Sequence, residues 1–155
     1  YGADFISVMP CNLYGYFDNF DPEKSHIVPA LICKFHEAKI KGLGSVTIWG
    51  DGKAYRELLF ADEMADACVF LMEHYSGEGF VNIGYGKDYT VMEIAGAVKE
   101  VVGYKGEILT DPGKPEGMKR KIVDSGRLRG LGWQPRYTLL EGLRMTYEWY
   151  LKNCL

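Results

Sequence analysis

Asn12 and His26 are the first side chains in this sequence whose type and setting suit chemistry. The apolar run Phe5-Ile6-Ser7-Val8-Met9 has the length and β-branched content of a buried strand, and Pro10-Cys11-Asn12 ends it. Strands of open α/β sheets end this way, with polar groups facing a ligand crevice at the carboxyl edge. Asn12 offers that crevice both a donor and an acceptor, or merely caps a turn. His26 carries an imidazole, a group that ordinarily titrates near neutrality and can protonate an enolate carbon without large pKa tuning; at a helix start a histidine is more often a plain surface or capping residue. Trp49 and Arg56 lie on either side of Gly50-Asp51-Gly52. An indole near a guanidinium is a stacking surface beside an anion fork, or a core residue beside a solvated charge. His36 and His74 lack such context and read as surface residues. Asp62 reads as a helix cap and Asp66 as a surface charge.

The elements that must hold these groups alternate. After the strand at about 5–9, Asn12 to Glu23 has the turn chemistry of a loop. Ser25 is the expected cap of a helix with the stripe Ile27, Leu31, Ile32, Phe35 and Ala38, stopped near Gly42. Ser45 to Trp49 and Arg56 to Phe60 read as two strands of a hairpin around the glycine turn. Asp62 then opens a helix expected to bury Met64, Ala65, Cys68, Leu71 and Met72, and Phe80 to Ile83 is a second buried strand. Thr90 with Glu93 spells a capping box, which predicts a helix from Val91 to about Val102. A small strand at Glu107 to Thr110, a polar loop from Asp111 to Lys121, a short helix from Ser125 and a last helix from Leu139 to Asn153 complete the order. The pattern is α/β. Only the runs at 5–9 and 80–83 resemble central strands of a parallel sheet, and two strands cannot make one.

Composition narrows the class. With 47% hydrophobic and 25% charged residues the chain reads as an ordinary globular protein. A net charge of −3 argues against nucleic acid as a partner. No apolar run approaches the roughly 20 residues of a membrane span. Cys11, Cys33, Cys68 and Cys154 are scattered without a C-x-x-C, which disfavours a metal site or a disulfide framework and fits a cytoplasmic setting. The chain lacks an initiator methionine and begins just ahead of a strand, so a segment of a longer polypeptide is expected.

Three strings carry a resemblance: Met9-Pro10-Cys11-Asn12-Leu13-Tyr14-Gly15, Asp18-Asn19-Phe20, and Ser25-His26-Ile27-Val28-Pro29-Ala30-Leu31-Ile32. Together they resemble the GDP-L-fucose synthase family, a branch of the extended short-chain dehydrogenase/reductases. Trp49-Gly50-Asp51-Gly52 with Arg56-Glu57, then Lys114-Pro115-Glu116-Gly117 and Arg120-Lys121, extend it along the chain. The P-C-N-x-Y-G and R-E elements are shared by many sugar-nucleotide epimerases and dehydratases. The D-N-F and S-H-I-V-P-A-L strings are narrower. The resemblance covers the carboxyl-terminal half of the family's fold: the edge of a Rossmann sheet, with the strands at about 5–9 and 80–83, plus a small α/β substrate-binding lobe. The Gly-rich dinucleotide turn and the Tyr-x-x-x-Lys pair belong to an amino-terminal half that this sequence does not contain.

The same resemblance implies roles. Pro10, Cys11, Asn12 and Leu13 would border the nicotinamide end of NADP(H), with His26 also near the cofactor. His26 would be the acid of a 3,5-epimerisation, whereas Cys11 occupies a position that tolerates Thr and is not the family's cysteine base. Lys34, Arg56 and Lys121 would meet the diphosphate of a sugar nucleotide, Trp49 would stack on its base or sugar, and Glu116 would accept from guanine or a sugar hydroxyl. The intact enzyme would convert GDP-4-keto-6-deoxy-D-mannose to GDP-L-fucose by epimerising C3 and C5 and reducing C4 with NADPH, as a homodimer. The chain alone would not catalyse the reduction. Another NAD(P)-dependent sugar-nucleotide epimerase or dehydratase, and a non-catalytic sugar-nucleotide-binding module, are the alternatives.

Overall fold

A computed structural model describes residues 3–21, 24–115 and 117–155. The chain runs β1 (Ser7–Pro10), β2 (Asn12–Tyr14), α1 (Ile27–Lys41), β3 (Ser45–Trp49), β4 (Tyr55–Phe60), α2 (Ala61–His74), β5 (Phe80–Ile83), β6 (Asp88–Thr90), α3 (Val91–Val102), β7 (Glu107–Asp111), β8 (Arg120–Lys121), α4 (Gly126–Gly130) and α5 (Leu139–Asn153). It is an α/β fold. The two runs that read as parallel strands do pair in parallel, Ser7 opposite Phe80 through Pro10 opposite Ile83. The first is not a buried strand, however. It begins at Ser7 rather than Phe5, and Phe5 (86% exposed) and Met9 (52%) stand in the open. Among the described residues β1 pairs with β5 alone, so only part of its surface is covered.

Pro10 and Cys11 carry the chain from one sheet to the next. Cys11 N still donates to Ile83 O at 2.9 Å, and Asn12 then starts β2, which runs parallel to the end of β4. The start of β4 pairs with β6 and β8. The expected hairpin does not form. β3 pairs in parallel with β7, and β4 belongs to a different sheet. Gly50 and Gly52, both with φ of 76°, make a real turn. Met92 N donates to Gly52 O and Val91 N to Ala54 O, each at 2.9 Å, and these bonds draw the outgoing chain to the start of α3. A glycine turn fixes a local change of direction; it does not choose the partner strand.

The helices follow their apolar stripes. α1 buries Val28, Leu31, Ile32, Phe35 and Ala38 and ends in left-handed Gly42. Its cap is His26, not Ser25, and makes no side-chain capping bond. α3 and α5 both start with complete capping boxes, Thr90 with Glu93 and Thr138 with Glu141. In α2 the buried face is Glu63, Ala67 and Leu71; Ala65 and Met72 are exposed, and Phe60 occupies the cap position expected for Asp62. Two cores result. One joins α1, α3 and α5 to β3 and β4 through Phe35, Ile48, Ile94, Val98 and Leu143. The other joins β1 and β5 to α2 and α4 through Leu71, Val81, Ile83 and Leu128. No helix of the described residues is long and apolar enough to cross a membrane.

Candidate functional site

A cavity of about 310 Å³ opens between α1, the end of β3, the start of β4 and α3, with Pro115 on its rim. Each wall has a local cause. Ile27, Ala30, Leu31 and Lys34 recur at helical spacing, so one face of α1 supplies them together. Val46 and Ile48 of β3 point into the core, and strand alternation turns Trp49 outward, where it is 58% exposed. The indole is therefore a wall of the site and not a core residue. Lys34 Nζ lies 5.6 Å from its ring centre and Lys114 Nζ 5.9 Å, both within cation–π range.

Arg56 reaches the same cavity from β4. Its Nη1 donates to Tyr55 O and Met118 O, each at 2.7 Å, and so ties the segment after Gly117 to the strand. Lys121 stands opposite Arg56 in the β4–β8 register but does not line the cavity. His26 is exposed, between the lining residues Ser25 and Ile27. The Ser25 hydroxyl is buried there without a hydrogen-bond partner among the described residues. Pro10, Cys11, Asn12 and Leu13 are not among the lining residues; they lie where β1 gives way to β2. The structure thus gathers Lys34, Trp49 and Arg56 at one cavity and leaves the strand-end residues elsewhere. Glu116 lies outside the described residues.

Behind the cavity is a carboxylate that the sequence reading passed over. Arg56 and Glu57 are neighbours on β4 and point to opposite faces. Glu57 is fully buried, where its Oε1 accepts from Gly86 N at 2.7 Å and its Oε2 from Val123 N at 2.9 Å. Its backbone oxygen accepts from Asn12 Nδ2 at 2.8 Å. One of the two amide hydrogens of Asn12 is therefore spent on holding β2 to β4. The signal was an acid next to an outward arginine inside an apolar strand, Arg56-Glu57-Leu58-Leu59.

Two further readings change. Asp66 is no plain surface charge, because its carboxylate accepts from Trp133 Nε1 at 2.9 Å and from Arg136 Nη2 at 3.1 Å. His36 is half-buried, with Nδ1 hydrogen-bonded to the Tyr147 hydroxyl at 2.9 Å. Burial, then the charge of Lys39, lowers its pKa. His74 is exposed, as expected.

Cys11 is buried, and that burial, with the nearby Glu57, pushes its thiol from 9.0 up to about 12. The neutral form therefore dominates at physiological pH, which suits the reading that Cys11 is no base. A raised folded-state value stabilises the fold below pH 9.0, and this contribution drains away as pH climbs towards about 12. Iodoacetamide at pH 8 should thus label exposed Cys154 in the native chain and reach Cys11 only after denaturation. Equal labelling of the two cysteines in the native state would contradict this placement.

Residues 1–84 match the NAD dependent epimerase/dehydratase family. GDP-L-fucose synthase 1 of Arabidopsis thaliana is 54% identical over 153 residues, 99% of this chain and 47% of that protein. GDP-L-fucose synthase of Sinorhizobium fredii is 50% identical over 153 residues, 99% of this chain and 49% of that protein. Among solved structures, a GDP-L-fucose synthetase from Naegleria fowleri bound to NADP superposes with a TM-score of 0.89 at 26% identity, covering 97% of this chain and 47% of that one. The chain spans about half the length of the curated relatives it matches.

Proposed function

We propose that this chain, which belongs to the NAD dependent epimerase/dehydratase family, is the substrate-holding part of a GDP-L-fucose synthase. The intact enzyme converts GDP-4-keto-6-deoxy-D-mannose to GDP-L-fucose by epimerisation at C3 and C5 and NADPH-dependent reduction at C4. One observation carries the reading: Lys34, Trp49 and Arg56, from elements far apart in sequence, converge on one cavity of about 310 Å³. A sugar nucleotide asks for that combination, a flat apolar face for a ring and cations for a diphosphate.

Lys34 and Arg56 meet the diphosphate, Trp49 carries the base or the sugar, and Lys121 adds charge beside Arg56. Glu116 accepts from the ligand's N–H or O–H groups. The 4-keto group acidifies the C3 and C5 hydrogens; a base supplied by the rest of the intact enzyme removes each, and His26, exposed between two lining residues, returns a proton to carbon. The carboxyl ends of β1 and β5, two parallel neighbours, fit a dinucleotide, because ligands of open α/β sheets bind outside the carboxyl ends of the strands. NADP(H) bound there supplies the hydride. With its side-chain nitrogen held by Glu57 O, Asn12 borders the cofactor through its remaining groups. The strands β1 and β5 belong to the cofactor sheet in this reading, and the intact enzyme is a homodimer.

Titration with GDP-L-fucose tests the proposal. Trp49 is 58% exposed, so saturable quenching of its fluorescence is expected, and a Trp49→Phe chain should lose the response. No binding, or a preference for a UDP-sugar, would overturn the reading.

A further inference from the structure

We propose that Lys114 is a second cationic arm of this cavity and holds the ligand's diphosphate in opposition to Lys34, an inference that rests on the sugar-nucleotide reading of the cavity. The residue is not left to swing freely. β7 ends at Asp111, directly opposite Trp49 in the β3–β7 register. From there Asp111-Pro112-Gly113-Lys114 folds into a turn, with Lys114 N donating to Asp111 O at 3.1 Å and Gly113 N to Asp111 Oδ1 at 3.0 Å. Asp in the first place and Pro in the second are what such a turn favours, one for its side-chain bond and the other for its fixed φ. The Asp111 carbonyl also accepts from Gly50 N at 2.9 Å, so the turn is fastened to the residue that follows Trp49. The sequence thus builds a short bracket that starts beside the indole and delivers Lys114 over it; Lys114 is not itself a lining residue, but it stands at the cavity's edge between Trp49 and Pro115, both of which line it.

Lys34 and Lys114 stand 5.6 and 5.9 Å from the same ring centre, so the two ammonium groups are no farther apart than those two distances laid end to end. Neither is in an ion pair among the described residues. Two cations over one exposed ring, with the Arg56 guanidinium on the same cavity, concentrate positive charge where an anion would enter. A diphosphate is the anion that matches: it carries charge at both phosphoryl groups, and an ammonium binds phosphate oxygens as a compact point charge. The bracket is therefore a specificity element that rewards diphosphate esters over the uncharged nucleoside.

Calorimetric titration of GDP into the full 155-residue chain, wild type against Lys114→Gln, is the test. Losing one charged hydrogen bond should weaken GDP about tenfold. The dependence of affinity on sodium chloride should flatten at the same time, because one fewer charge is screened. Lys114→Arg should restore most of the affinity. The melting temperature should not move, since the side chain is exposed and makes no hydrogen bond among the described residues. Unchanged GDP affinity in Lys114→Gln, or a loss with an unaltered salt dependence, overturns the proposal. A wild-type chain that does not bind GDP overturns the reading of the cavity instead, so the two failures are separable.

Discussion

Glu57→Ala is expected to lower the melting temperature of the chain by roughly 10 °C. The carboxylate is fully buried and satisfies Gly86 N and Val123 N at once. Truncating it strands two partly buried N–H groups, each costing up to about 1–3 kcal/mol, and opens a hole where the buried carboxyl stood. A loss of about 3 kcal/mol or more in a domain of this size corresponds to a shift of that order. Gly84 shows how tightly the group is enclosed: a Cβ there would lie 2.5 Å from Glu57 Oε1 and 2.7 Å from Val123 Cγ2. Gln should cost less than Ala, because it keeps the shape and one acceptor. Thermal melts of the three chains decide the matter, and an Ala variant that melts within 2 °C of wild type, allowing about 1 kcal/mol, would show that the network is dispensable.

Glu57 also marks the limit of what the sequence makes legible. Capping boxes are local, so α3 could be placed from Thr90 and Glu93 alone, and the stripe from Ile27 to Ala38 with Gly42 behind it outlined α1. β5 was legible for a similar reason, as an apolar run between glycines. β2, β6 and β8 were not, because two or three residues give no period and each is a strand only through its pairing with β4. The hairpin misreading has the same root: the glycine turn was visible, but the partner that claimed β3 lies beyond two more helices. Residue type and the family resemblance together sufficed to nominate Lys34, Trp49 and Arg56. Ser25, Lys114 and Glu57 draw their interest from an unpartnered hydroxyl, the aim of a turn and a buried carboxylate, none of which exists before the chain is folded.

Arg56→Ala is expected to weaken GDP binding about 100-fold while leaving the fold nearly as stable. On the reading proposed above, a charged hydrogen bond to the diphosphate contributes about 1.5–3 kcal/mol, which is tenfold to a hundredfold in affinity. Arg56 adds to this because its Nη1 holds Met118 O and Tyr55 O, and so fixes the segment that leads to Lys121. Without the guanidinium both the anion contact and its neighbour's placement suffer. Lys at this position keeps the charge but lacks the planar fork that bridges two carbonyls and still faces an anion, so Arg56→Lys should fall between wild type and Ala. Lys34→Ala should cost only about tenfold, since its ammonium anchors no backbone among the described residues. GDP affinities of these variants, measured with their melting curves, check the ranking; an Ala variant that binds within threefold of wild type, about 0.7 kcal/mol, would remove Arg56 from the site. Adjacent residues on one strand would then be separable by experiment, the inward acid governing stability and the outward base governing binding. That division follows from strand alternation alone, and it fails if either substitution produces the other's effect.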